Sequence, residues 1–109
     1  MATVQTPGAL LRKALNEEQP LQLAGVVNAY AALLAGECGF RAIYLSGAGV
    51  ANASFGLPDL GMTTLTDVLD DVRRITSASR LPVLAALRLR ETGMRGSSSR
   101  TCFYFWCRR

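Results

Sequence analysis

Residues 41–46 read Arg41-Ala42-Ile43-Tyr44-Leu45-Ser46, a run that is nearly continuous in apolar residues rather than alternating with polar ones. A strand with one wet face alternates, whereas a parallel strand covered by helices on one face and by core on the other does not. Upstream, Asn28 stands where a helix cap would, before Ala29-Tyr30-Ala31-Ala32-Leu33-Leu34-Ala35, a segment of strong helix formers that Gly39 can stop. Before it, Leu21 to Gly25 suits a short strand, and Ala9 to Leu15 an amphipathic helix ended by Pro20. Downstream, Gly47 to Met62 reads as a loop of 16 residues, rich in Gly and Ala and containing Pro58. Loops of that length in compact domains tend to be functional.

Helix signals resume at Thr64-Leu65-Thr66-Asp67, a capping box opening onto Leu65, Val68, Leu69, Val72 and Ile75 on one face, with Asp70, Asp71, Arg73 and Arg74 mostly on the other. Leu81 to Ala85 then begins a third strand. Helix, strand-helix, strand-loop-helix, strand is the rhythm of a parallel α/β fold.

The 109 residues have room for one compact domain, and a complete (β/α)8 enzyme needs roughly 250. Half the residues are hydrophobic and 18% are charged, enough apolar material for a core and too little charge for a disordered chain. The net charge of +4 is unevenly placed: residues 1–86 carry six basic groups against seven acidic, and residues 87–109 carry six Arg against Glu91 alone. A neutral body with a basic appendage argues against a nucleic-acid-binding face. Three cysteines without a CxxC pair, and no His, exclude zinc and disulfide frameworks. There is no secretory leader pattern and no apolar run approaching about 18 residues, so a cytoplasmic location without membrane contact is expected.

After Ala86 the rhythm ends. Residues 87–109 combine the Arg residues with Ser97-Ser98-Ser99 and the cluster Phe103-Tyr104-Phe105-Trp106, with no period of 2 or 3.6. A disordered basic tail and an out-of-frame translation both fit, as does a membrane-contacting or oligomer-forming tail. The second is favoured, because a soluble tail seldom exposes such an aromatic cluster. Residues 1–86 are therefore expected to form the folded part, and 87–109 an unrelated tail.

Gly47-Ala48-Gly49 after a strand suggests dinucleotide binding, but the third glycine position is Asn52, and the next helix is expected only at about Thr64, too far on to meet a pyrophosphate. In a barrel, by contrast, strand ends and the loops after them build the site, and Tyr44, Ser46, Gly47 and Ala48 occupy such an end. Small residues let backbone N–H groups approach an anionic oxygen, and a hydroxyl and a phenol add directional hydrogen bonds. Gly and Ala that merely turn the chain would look the same.

The motifs NAYAALLA, GFRAIYLSGAGVA, GLPDLG, LTDVLDDVRRIT and LPVLA follow one another between residue 7 and about residue 86, and in that order they resemble the methylisocitrate lyase branch of the isocitrate lyase and phosphoenolpyruvate mutase superfamily. The resemblance implies the N-terminal part of a (β/α)8 TIM barrel, with about three parallel strands and their helices in an unclosed sheet. It implies a Mg²⁺-dependent carbon–carbon lyase that cleaves 2-methylisocitrate, a small-molecule tricarboxylate, to pyruvate and succinate in propionate catabolism by the methylcitrate cycle. It places Ser46, Gly47 and Ala48 on a substrate carboxylate, Tyr44 in the same pocket, and Asp59 of GLPD near the metal through water. A hard cation with carboxylate and water ligands suits an α-hydroxy acid substrate and an enolate-like product.

Departures are equally specific. Where the resemblance calls for an Asp-x-Asp metal-binding segment after LPVLA, this chain has Ala86 and Arg88, and the His of the family's general acid/base loop has no counterpart. Cys38, on a predicted helix, reads as a packing residue rather than the catalytic thiol. The expectation is a truncated or frameshifted lyase, inactive alone and not binding Mg²⁺, with open sheet edges that favour self-association. Alternatives are a non-catalytic interaction fragment and a fragment of a sister enzyme, an isocitrate lyase or a phosphonate-type phosphoenolpyruvate mutase.

Overall fold

A computed structural model describes the backbone of residues 5–90 and 99–106, with side chains as far as residue 87. In chain order the elements are α1 (Pro7–Glu17), β1 (Ala24–Val26), α2 (Ala29–Glu37), β2 (Ile43–Ser46), α3 (Gly47–Phe55), α4 (Leu65–Ala78), β3 (Val83–Arg90) and β4 (Ser99–Trp106). The sheet order is β1-β2-β3-β4. The first three strands are parallel, with Ala24 and Val83 both opposite Ile43, and β4 runs antiparallel to β3. The fold is α/β, with three parallel strands in an unclosed sheet. Among the described residues no helix is long and apolar enough to cross a membrane.

Local chemistry sets the helix boundaries. The Thr6 hydroxyl accepts from the Ala9 N–H at 3.2 Å and Pro7 supplies a preset first turn, so α1 begins two residues before the expected Ala9 and runs two past Leu15. Asn28 Oδ1 accepts from the Ala31 N–H at 2.8 Å to start α2, and Gly39 at φ +86° turns the chain away. Cys38 caps α2 at its C-terminus and is exposed, not packed as expected. At α4 the expected capping box is complete: Asp67 Oδ2 accepts from the Thr64 N–H at 2.7 Å and the Thr64 hydroxyl accepts from the Asp67 N–H at 3.3 Å.

The core lies between the sheet and the helices. Ile43 and Leu45 of β2, Val83, Ala85 and Leu87 of β3, and Val26 of β1 pack with Ala32 and Ala35 of α2, Val50 of α3, and Val68, Val72 and Ile75 of α4. The alternate residues of β2, Tyr44 and Ser46, are only half-buried. They stand opposite Leu84 and Ala86 on the other face of the sheet. The continuous apolar run thus serves two faces, of which only one is covered by helices.

Three expectations change. The segment 47–62 is not one loop, because α3 begins at Gly47 directly after β2. The third strand runs to Arg90, past the Ala86 at which the expected folded part ends, and residues 99–106 of the expected tail form β4, which adds an antiparallel strand to the three parallel ones and pairs the outer edge of β3. Asp71, read as part of the solvent face of α4, is 6% exposed. Residues 91–98 and 107–109 of that tail lie outside the described residues.

Leu45→Ala removes the centre of the core and is expected to cost about 2–5 kcal/mol in urea unfolding. The capping box makes stability depend on acid. The Thr64 N–H, and then its hydroxyl, hold the Asp67 carboxyl below the ordinary aspartate value. A depressed folded pKa gives stability that is present above the unfolded pKa and is lost as pH falls through the folded one. Asp67→Asn should flatten that acid limb in unfolding midpoints measured from neutral pH downward, and an unchanged limb would exclude the box as its source.

Candidate functional site

All five residues singled out at and after β2 meet in one open pocket of about 150 Å³: Tyr44, Ser46, Gly47, Ala48 and Asp59 line it, with Ala86 and Leu87 of β3 on the opposite wall. Tyr44 and Ser46 reach it because strand alternation turns them away from the helices while Ile43 and Leu45 enter the core. Ala86 arrives as the register partner of Ser46. Arg88 lies two residues further along β3, opposite Thr101 of β4, and its side chain is outside the described set.

Asp59 is twelve residues from Gly47 in sequence and joins it through α3. The helix runs out from the end of β2 and is closed at Gly56, φ +63°, where the Gly56 N–H bonds to Asn52 O at 3.1 Å and the Leu57 N–H to Ala51 O at 2.9 Å. This closure reverses the chain, and the GLPD turn comes back with Asp59 over the pocket. A narrower recess beneath Asp59 continues toward Thr63 and Thr64, the start of α4.

The donors at the head of α3 give the pocket its chemistry. Ser46 is the cap residue, yet its side chain makes no capping bond. The first amides of a helix have no carbonyl partner within it, so the head of α3, where Ala48 lines the pocket, brings an N–H donor and the positive end of the helix dipole to it. Such an arrangement favours an anionic oxygen, with the Ser46 hydroxyl and Tyr44 phenol as further donors. Gly47 is sterically required there: a Cβ would stand 3.0 Å from the Ala86 carbonyl oxygen and 3.5 Å from Leu87 Cα, both backbone atoms.

Against a resident hard cation the donor set is thin. Asp59 is the one carboxylate lining the pocket among the described residues, Ala86 presents a methyl group beside it, and no three His, Cys, Asp or Glu side chains come together elsewhere among them. Mg²⁺ requires near-octahedral oxygen coordination, and these residues do not fit it as a site built by protein. The dinucleotide reading also loses one of its two objections, because a helix does begin at Gly47. It still fails at Asn52, where the third glycine should allow close helix–strand packing.

Fold and site together define a parallel α/β unit whose pocket sits at the C-terminal ends of its strands, where enzymes of this architecture bind small molecules. The family model of phosphoenolpyruvate phosphomutase matches residues 11–91, and the chain belongs to that family. It is 56% identical to the 2-methylisocitrate lyase of Shewanella oneidensis over 93 residues, 85% of this chain and 31% of that one. With the 2-methylisocitrate lyase of Vibrio cholerae it shares 53% over 92 residues, 84% of this chain and 29% of that one. The chain therefore spans about 31% of the length of the first of these relatives. Among solved structures, 2,3-dimethylmalate lyase, a member of the PEP mutase/isocitrate lyase superfamily, superposes with a TM-score of 0.58 at 34% identity, over 73% of this chain and 29% of that one. Oxaloacetate acetylhydrolase superposes at 0.63 and 30% identity with the same coverage. The resemblance read from the motifs thus holds.

Two glycine substitutions separate steric need from helix propensity. Gly36→Ala in α2 adds a methyl group that meets only Leu81 Cδ1 at 4.0 Å, and should stabilise by about 0.5–1 kcal/mol. Gly47→Ala should instead destabilise by about 1–3 kcal/mol through overpacking against β3. Thermal unfolding of the two variants would show shifts of opposite sign, and a stabilised Gly47→Ala would contradict the close approach.

Proposed function

We propose that this chain carries the opening β/α units and the carboxylate-receiving wall of a 2-methylisocitrate lyase-type (β/α)8 barrel. The observation that carries the reading is the convergence of Tyr44, Ser46, Gly47, Ala48 and Asp59, drawn from a strand, a helix start and a separate loop, on one pocket. The identity to two 2-methylisocitrate lyases supports that substrate over the other chemistries of the superfamily.

In this reading one carboxylate of 2-methylisocitrate lies on the amides at the head of α3, with the Ser46 hydroxyl donating beside them. Tyr44 orients the substrate from the sheet, and Asp59 faces it from the returning loop. These groups bind and orient. Cleavage to pyruvate and succinate further calls for charge stabilisation on an enolate-like product, which Mg²⁺ supplies in the family. With Ala86 in the pocket, no step through the metal is assigned to this chain, and the 109 residues by themselves bind without turnover.

A hybrid tests this directly. Residues 7–85 exchanged for their counterpart in the Shewanella oneidensis relative, which leaves that relative's own residue at position 86, should give an enzyme that cleaves 2-methylisocitrate with kcat/KM within about tenfold of the parent, while the 109-residue chain releases no pyruvate in a coupled assay. A folded hybrid that prefers isocitrate, or turnover by the short chain, would sink the proposal.

A further inference from the structure

Helix α3 is attached at three places. Gly47 abuts the backbone of β3, Val50 and Ala51 are buried at mid-helix, and near its end the Ser54 hydroxyl donates to Asp71 Oδ2 of α4 at 2.6 Å. The other oxygen of Asp71 accepts from Arg74 Nη1 at 2.9 Å. Burying a carboxylate costs free energy that its hydrogen bonds must offset. Helix α4 has no need of it. Its start is fixed by the capping box and its inner face by Val68, Val72 and Ile75, while neighbouring Asp70 makes the equivalent bond to Arg73 with both side chains half-exposed or more. What sets Asp71 apart is its grip on Ser54.

The three attachments differ in kind. Contacts of Val50 and Ala51 are non-directional and would let the helix rock about its middle. A hydrogen bond fixes direction. Ser54 lies seven residues beyond Gly47, about 10 Å along the axis, so movement at one end displaces the other. We infer that Ser54 and Asp71 are a positioning pair: by fixing the far end of α3 on α4 they aim its first amides into the pocket, and Arg74 orients the Asp71 carboxylate. Neither residue touches the substrate. The inference rests on the reading of the pocket as a carboxylate site.

The test uses the 109-residue chain labelled with ¹⁵N, its Ser54→Ala, Ser54→Thr and Asp71→Asn variants, and succinate as the probe. Without ligand, order parameters at Gly47–Gly49 should fall in Ser54→Ala from about 0.85 toward 0.6 and return in Ser54→Thr, which keeps the hydroxyl. Asp71→Asn keeps an acceptor for Ser54 and should lie between them, so the comparison survives if Ser54→Ala does not fold. With succinate, the shifts of the same amides should titrate about fivefold more weakly in Ser54→Ala, again restored by Thr. Order parameters at Gly47–Gly49 that are the same in all four proteins would overturn the positioning role, whatever succinate does. Order parameters that change as described, with no succinate shifts in the native chain, would uphold the positioning pair and remove the carboxylate reading alone.

Discussion

Ile43 and Leu45 are withdrawn completely from solvent because β2 has a parallel neighbour on each edge and helices over the face those two residues occupy. Four residues of strand thereby fix two surfaces at once. One carries the core that holds α2 and α4 in place. The other presents Tyr44 and Ser46, and it has its shape only because alternation leaves no choice once Ile43 and Leu45 are committed inward. A slip of one residue would send Tyr44 into the helix layer and empty the pocket of its phenol.

The parts of the fold legible in the sequence are those with local, directional chemistry. Asn28 and Thr64 each name a helix start because a short polar side chain can accept the amide three residues on, and the structure uses both in that way. Helix α3 was hidden for the opposite reason. Gly47, Ala48, Gly49, Asn52 and Ala53 give no apolar period, and the helix forms because β3 offers Gly47 a backbone to rest against and the core accepts Val50 and Ala51. Tertiary contact overrode weak propensity. Strand β4 was hidden likewise, since its pairing with β3 joins residues separated in sequence and leaves no mark in periodicity.

The candidate site was marked in the sequence in two ways. Small and hydroxyl-bearing residues at the end of a strand singled out Tyr44, Ser46, Gly47 and Ala48, the family resemblance added Asp59, and these five residues line one pocket. The support beneath them was not legible. Ser54 and Asp71 are seventeen residues apart on different helices, and Asp71 looks in sequence like one more charge on a wet face beside Asp70. Only packing distinguishes the carboxylate that is buried from the one that is not.

The contact between Gly47 and β3 bears on how this pocket tolerates drift. The atom that a side chain at position 47 would strike is the carbonyl oxygen of residue 86, present whatever residue occupies that position. Replacement at 86 can therefore erase a functional group without loosening the restriction at 47. The shape that favours glycine at 47 is therefore set by backbone, and the side chain at 86 is free of that constraint.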